Sequence, residues 1–166
     1  KIHIIRLGFD ILISLFGLFS IIYCSVVNKE HILGMFIYFT FLSNITSTIA
    51  SMIAIYYDIK CIRDENYERK LFPILLKFIT TCGIALTFFT CLIFLGPFVT
   101  GFPYLYSKYN LFMHLINPLL CLISFIFFDS IICFNWYFGF LSLVEFLTYG
   151  VAYLICIYGL NLWDDI

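Results

Sequence analysis

Charge is scarce in this sequence. Charged residues make up 11% of 166, where a soluble domain carries about 25%. That excludes a water-soluble fold, because its surface would have to be built of Leu, Ile and Phe. Basic excess is lacking too: nine Lys and Arg stand against ten Asp and Glu, a formal net charge of −1. Without a basic face to neutralise phosphates, nucleic acid is excluded as a partner. The seven cysteines include no C-x-x-C pair. A disulfide framework or zinc site is therefore not expected, and they read as small buried hydrophobes. No metal or cofactor is expected. No G-x-S-x-G elbow occurs, which removes the common hydrolase template. No repeat and no second domain are visible. The first hydrophobic segment has no small-residue cleavage pattern and reads as a retained span.

What the sequence has in abundance is apolar side chain. Hydrophobic residues reach 63%, with a mean hydropathy of +1.06. A span needs roughly 20 apolar residues, and five runs qualify: about 4–27, 33–57, 71–96, 110–129 and 136–162. Only helices and closed barrels satisfy every backbone group in lipid, and alternating barrel patterning is absent. The expected fold is an all-α, polytopic transmembrane helix bundle forming one domain over 1–166. Asp58 to Lys70 reads as the one real loop. Gly96 to Asn110 carries Gly96-Pro97, Gly101, Pro103 and three tyrosines, and reads as a turn with interfacial aromatics.

Orientation follows from Lys and Arg. With the N-terminus inside, Lys1, Arg6, Lys60, Arg63, Arg69, Lys70 and Lys77 collect on the cytoplasmic side, and only Lys29 and Lys108 lie outside. This seven-to-two bias makes the Asp58–Lys70 loop cytoplasmic. The Trp163-Asp164-Asp165 ending then lies outside, and a sixth helix is expected beyond Ile166.

Each span carries a polar stripe at three-to-four spacing, which places its members on one helical face. The stripes are Asp10, Ser14 and Gly17; Thr40, Asn44, Ser47 and Ser51; Thr80, Gly83, Thr87 and Thr90; His114, Asn117, Cys121 and Ser124; and Ser142, Glu145, Tyr149 and Ala152. Small and hydroxyl members fit close helix packing. Ionisable members are expensive in lipid and mark a function or a pairing. Asp10 and Lys77 fall at similar inner depth and are expected to pair. Glu145 falls near the midplane, about 14 Å into its helix. Thr40 and Asn44, two to three turns into the second span, match the depth of His114 and Asn117, one to two turns into the fourth. Pro118 should kink that helix and free the His114 carbonyl, opening a pocket.

The segment Tyr38-Phe39-Thr40-Phe41-Leu42-Ser43-Asn44, followed by Asn110-Leu111-Phe112-Met113-His114-Leu115-Ile116-Asn117-Pro118, resembles the androgen-induced, FAR-17a-type membrane proteins and their bacterial six-helix relatives. Asp129 after Phe127-Phe128 is similar too, as is the Trp163-Asp164-Asp165 ending, which in the relatives leads into a last helix. Here an extra residue separates Thr-Phe-Leu from Asn44. The resemblance implies an atypical threonine hydrolase of fatty-acid esters of hydroxy fatty acids, with Thr40 as nucleophile and His114 as base. It also implies a bacterial plasma-membrane location.

Three readings stand. In the leading one, Thr40 attacks a fatty-acyl ester drawn from the membrane lipids, and His114 takes its proton. Asn44 or Asn117 orients the imidazole or donates to the oxyanion, and Ser43 and Glu145 join the substrate-binding set. In the second, the bundle is a small-molecule or lipid transporter or binding subunit with no enzymatic activity, supported by the polar interior and Glu145. In the third, His114 and Asn117 only bond between helices.

Overall fold

Backbone amides in hydrocarbon have no water to bond, so long apolar runs wind into helices. The computed structural model describes residues 2–64, 66–129 and 135–160. Five helices there are long and apolar enough to cross a membrane: α1 Ile2–Val27, α2 Phe39–Arg63, α3 Leu71–Thr100, α4 Lys108–Asp129 and α5 Trp136–Gly159. No strand occurs among the described residues. The chain is a multi-pass, all-α integral membrane bundle. Cys133, the Trp163-Asp164-Asp165 ending and the expected sixth helix lie outside the described residues.

The bundle is polar inside and apolar outside. α1 buries Arg6, Asp10, Ser14, Gly17 and Ser20 and turns Leu15, Phe19 and Ile22 outward. α2 buries Ser43, Asn44, Ser47, Thr48, Ser51 and Asp58. α3 buries Lys77, Thr80, Gly83 and Thr87, and α4 buries Asn117, Cys121, Ser124 and Asp129. Lipid offers no hydrophobic drive between helices, so small and hydroxyl residues make the seams. At Gly17 a Cβ would run into Thr48, so glycine sets the closeness of α1 and α2. α5 differs: none of its residues is fully buried. It leans on α3 and on the start of α2, where the Phe39 ring meets Tyr149 and Phe146 with centroids 5.1 and 6.0 Å apart.

Three boundaries differ from the hydropathy reading. The second span begins at Phe39, because Lys29–Ile37 winds as a 3-10 helix and Tyr38 is extended. Apolar counting sees neither change. The Asp58–Lys70 loop starts only after Arg63. Asp58 and Cys61 are buried helical residues, held by ion pairing and packing that a polar tally misses. The expected turn at Gly96-Pro97 is still helix. Residues Cys91–Thr100 take a wide, five-residue hydrogen-bond register that accommodates Pro97. The chain turns at Gly101 instead, where φ is 79° and glycine carries no steric penalty.

The alternating helices bring the starts of α1 and α3 together with the ends of α2 and α4. Lys77 Nζ lies 2.7 Å from Asp10 Oδ1, the expected pair, and 2.6 Å from Asp129 Oδ2, and donates to Ser124 Oγ at 2.9 Å. Arg69, from the connection after α2, pairs closely with Asp129 and lies 3.4 Å from Asp58 Oδ1. Arg6 sits 3.5 Å from Asp129 Oδ1 and donates to the Phe128 carbonyl at 2.6 Å, satisfying an acceptor at the end of α4. Burial works against the charge of Arg69, but the Asp129 and Asp58 carboxylates outweigh it and hold its pKa above the ordinary arginine value. Three carboxylates and three cations thus knot four helices.

Candidate functional site

At the other end of the bundle the buried polar groups, Ser43, Asn44, Thr87 and Asn117, carry no charge. Phe112–Ile116 in α4 takes a wide register, and the Asn117 N–H reaches back five residues to the Phe112 carbonyl. The next acceptor in that register, the Met113 carbonyl, would need an N–H on Pro118, which has none. Asn44 Nδ2 supplies it at 3.2 Å and also donates to the Thr40 carbonyl at 2.9 Å. Asn117 Nδ2 donates to Asn44 Oδ1 at 3.0 Å. The carbonyl capped from across the bundle is thus that of Met113, one residue before the His114 carbonyl expected from an ordinary helix. Both asparagines are fully buried. Together they bolt α2 to α4 beside Thr40 and His114.

Thr40 and His114 line one cavity of about 270 Å³, with Asn28, Tyr38, Tyr109 and Asn110 among the other walls. Thr40 is the second residue of α2, not two to three turns in, and His114 is seventh in α4. His114 Nδ1 lies 3.1 Å from Cys91 Sγ on α3. Among the described residues its Nε2 has no hydrogen-bond partner, and no hydrogen bond joins Thr40 Oγ1 to the imidazole. Thr40 also lines a second cavity, of about 300 Å³, walled by Phe39, Leu86, Leu95 and Phe146 with Cys91 at its side. The threonine therefore stands between a chamber of mixed polarity and a more apolar one.

The remaining sequence candidates separate. Ser43 lies just behind Thr40, sharing a hydrogen bond with Thr87 Oγ1 at 3.2 Å and donating to the Thr40 carbonyl at 3.1 Å. Asn44 and Asn117 are not among the cavity walls. Glu145 is elsewhere, between α2, α3 and α5. Cys91 was not singled out by sequence, although it follows Thr87 by four residues and so extends the α3 stripe. Asp58 likewise extends the α2 stripe, through Ala54 from Ser51. Among the described residues no group of His, Cys, Asp and Glu could hold a metal ion. Compared with known proteins, the chain matches no protein-family model, no curated protein and no solved structure.

Proposed function

We propose that this protein hydrolyses fatty-acyl esters taken from the membrane, with Thr40 as nucleophile and His114 as base. The observation that carries the reading is the place of Thr40 on two cavities, one shared with His114 and the other more apolar. An acyl chain fits the more apolar side, the alcohol portion fits the side of mixed polarity, and the ester carbonyl between them meets the hydroxyl. The engaged Nδ1 and unpartnered Nε2 of His114 are the arrangement a positioned base needs.

The chemistry balances on these two residues. Nε2 takes the Thr40 hydroxyl proton as Oγ1 attacks the carbonyl carbon. The tetrahedral intermediate expels the alcohol oxygen, which receives that proton from His114. Water, deprotonated by Nε2, then attacks the acyl-threonine ester, releases the fatty acid and restores the hydroxyl. Asn44, which donates to the Thr40 and Met113 carbonyls, and Asn117, which donates to Asn44, act by fixing the spacing of the two helices.

The test is hydrolysis of a fatty-acid ester of a hydroxy fatty acid by the full chain in lipid nanodiscs. Wild type should release free acid, and Thr40→Ala and His114→Ala should not. If wild type cleaves no lipid ester, the bundle is a binding or transport component. The proposed topology places the N-terminus inside and the site in the outer half. The buried Cys61 is a poor reporter of it. An impermeant thiol reagent should instead fail to label Glu68→Cys, at an exposed position of the α2–α3 connection, in intact cells.

A further inference from the structure

Asp10, Asp58 and Asp129 each lie within 4.0 Å of a Lys or Arg nitrogen. Glu145 is the other acid facing the interior of the bundle at membrane depth, and among the described residues it has no cation. One oxygen, Oε1, accepts a short hydrogen bond from Thr46 Oγ1. The other, Oε2, is buried without a hydrogen-bond partner. It rests on α3 at Gly83, where any Cβ would displace it, so the backbone makes room for this carboxyl.

Glu145 also lines a third cavity, of about 410 Å³, larger than either cavity at Thr40. Its floor is Leu42, Leu76, Ile79 and Thr80. Its rim residues Ile49, Val144, Thr148 and Ala152 are exposed on the outer surface of the bundle, so the cavity opens between α2 and α5 toward lipid. An apolar chamber of this size with one carboxyl in its wall suits an amphiphile of matching polarity. A carboxylate at membrane depth is costly alone, and a cation brought to it removes that cost for both partners.

We propose that the cavity between α2, α3 and α5 binds a lipophilic amine, with the ligand's ammonium on the Glu145 carboxylate and its alkyl chain on Leu42, Leu76 and Ile79. The ligand supplies the cation that Lys77 and Arg69 supply at the charged end. Thr46 holds one carboxylate oxygen and leaves the other for the ammonium. The chain enters sideways, past Ile49 and Val144. This inference does not rest on ester hydrolysis, since neither Thr40 nor His114 lines the cavity.

Binding of dodecylamine and of dodecanol to the full chain in nonionic detergent separates charge recognition from chain burial. Wild type should bind the amine at least about tenfold more tightly than the alcohol, the worth of roughly 1.4 kcal/mol. Glu145→Gln should bring the amine to the level of the alcohol and leave the alcohol unchanged. Thr46→Val, which keeps the carboxylate, should retain the preference, and Ile49→Trp, which fills the mouth, should lose both ligands. Should Glu145→Gln fail to fold, Thr46→Val and Ile49→Trp still carry the test. Equal affinity of wild type for amine and alcohol would overturn the proposal, as would an amine preference that survives Glu145→Gln or a mouth variant that binds as wild type does.

Discussion

At one end of the bundle Asp10, Asp58 and Asp129 sit among Lys77, Arg69 and Arg6, each carboxylate within 4.0 Å of a cation. At the other, Thr40, His114 and Cys91 border open space, with uncharged partners and, among the described residues, a Thr40 hydroxyl that makes no side-chain hydrogen bond. Both ends place polar groups where each unsatisfied one is expensive. The charged end spends its polarity on itself. Every carboxylate has a cation, and the residues come from four helices and a connection, so the arrangement exists only when the bundle is assembled. The neutral end holds polarity in reserve. There Asn44 supplies the donor that Pro118 cannot give the Met113 carbonyl, Asn117 holds Asn44, and among the described residues Thr40 Oγ1 and His114 Nε2 are left without a hydrogen-bond partner. A group kept unpartnered beside a cavity is available to a ligand; a group locked in a network is not.

That contrast is most sharply tested by removing one group from each end. Thr40→Ala or His114→Ala should lower kcat/KM for a fatty-acyl ester by about 10⁴-fold or more, as loss of a nucleophile or its base does. Thermal stability should barely change for Thr40→Ala, whose Oγ1 ties no two helices among the described residues, while His114→Ala should also lose the modest worth of its Nδ1 contact with Cys91 of α3. A melting temperature that falls with activity would show the cavity end to be structural after all.

Lys77→Met should do the reverse. It strands Asp10 and Asp129 in the bundle interior, and breaking a buried ion network from one side costs about 3–5 kcal/mol. Denaturation in mixed micelles should report that loss. Lys77→Met combined with Asp10→Asn should recover part of it, since one of the stranded charges is then gone. An unchanged stability for Lys77→Met would mean that water reaches the network.

Asn44→Ala touches the seam beside Thr40 and His114. It removes the donor to the Met113 carbonyl, the donor to the Thr40 carbonyl and the acceptor for Asn117. Leaving buried groups unsatisfied costs about 1–3 kcal/mol. Activity should fall along with stability, because α2 and α4 lose their common spacer. Stability lost with full activity would dissociate the asparagine pair from the site.

Much of this was readable before folding. Hydropathy located the spans, and three-to-four spacing found the inward face of α1 to α4 except at Thr90, which is exposed, because in lipid the buried face is the polar one. The Asp10–Lys77 pair followed from depth alone. Asp129, Arg6 and Arg69 did not appear as its partners, since an ion network across four helices depends on which helices touch, and spacing along one helix says nothing about that. Asp58 was hidden for a related reason: a polar tally ends a span where charge begins, although a paired charge can remain inside. Cys91 was set aside with the other cysteines as a small hydrophobe. Its meeting with the His114 ring depends on the wide register of α4 around His114, which no hydropathy pattern encodes. The α5 stripe was legible only in part: Glu145 and Tyr149 face the bundle, while Ala152 is exposed on the outer surface.

The smallest expected effect belongs to Ser43→Ala, and it separates Thr40 from the polar stripe around it. Ser43 is fully buried, one turn from Thr40 on α2, and bonded to Thr87 of α3. By polarity and burial alone it would matter more than the half-buried Thr40. Its removal orphans nothing, however. The Thr40 carbonyl keeps its bond from Asn44 Nδ2, and the Thr87 hydroxyl keeps its own bond to the Gly83 carbonyl at 3.4 Å. The cost should therefore be that of one interhelical hydroxyl pair in a membrane, about 0.6 kcal/mol. Ester hydrolysis should stay within a few-fold of wild type, because Ser43 lines neither cavity at Thr40. If Ser43→Ala abolishes hydrolysis while Thr40→Ala does not, the nucleophile has been assigned to the wrong hydroxyl of α2. If both variants are equally mild, hydroxyls along this stripe serve packing, and the open space beside Thr40 holds a ligand that the protein does not cleave.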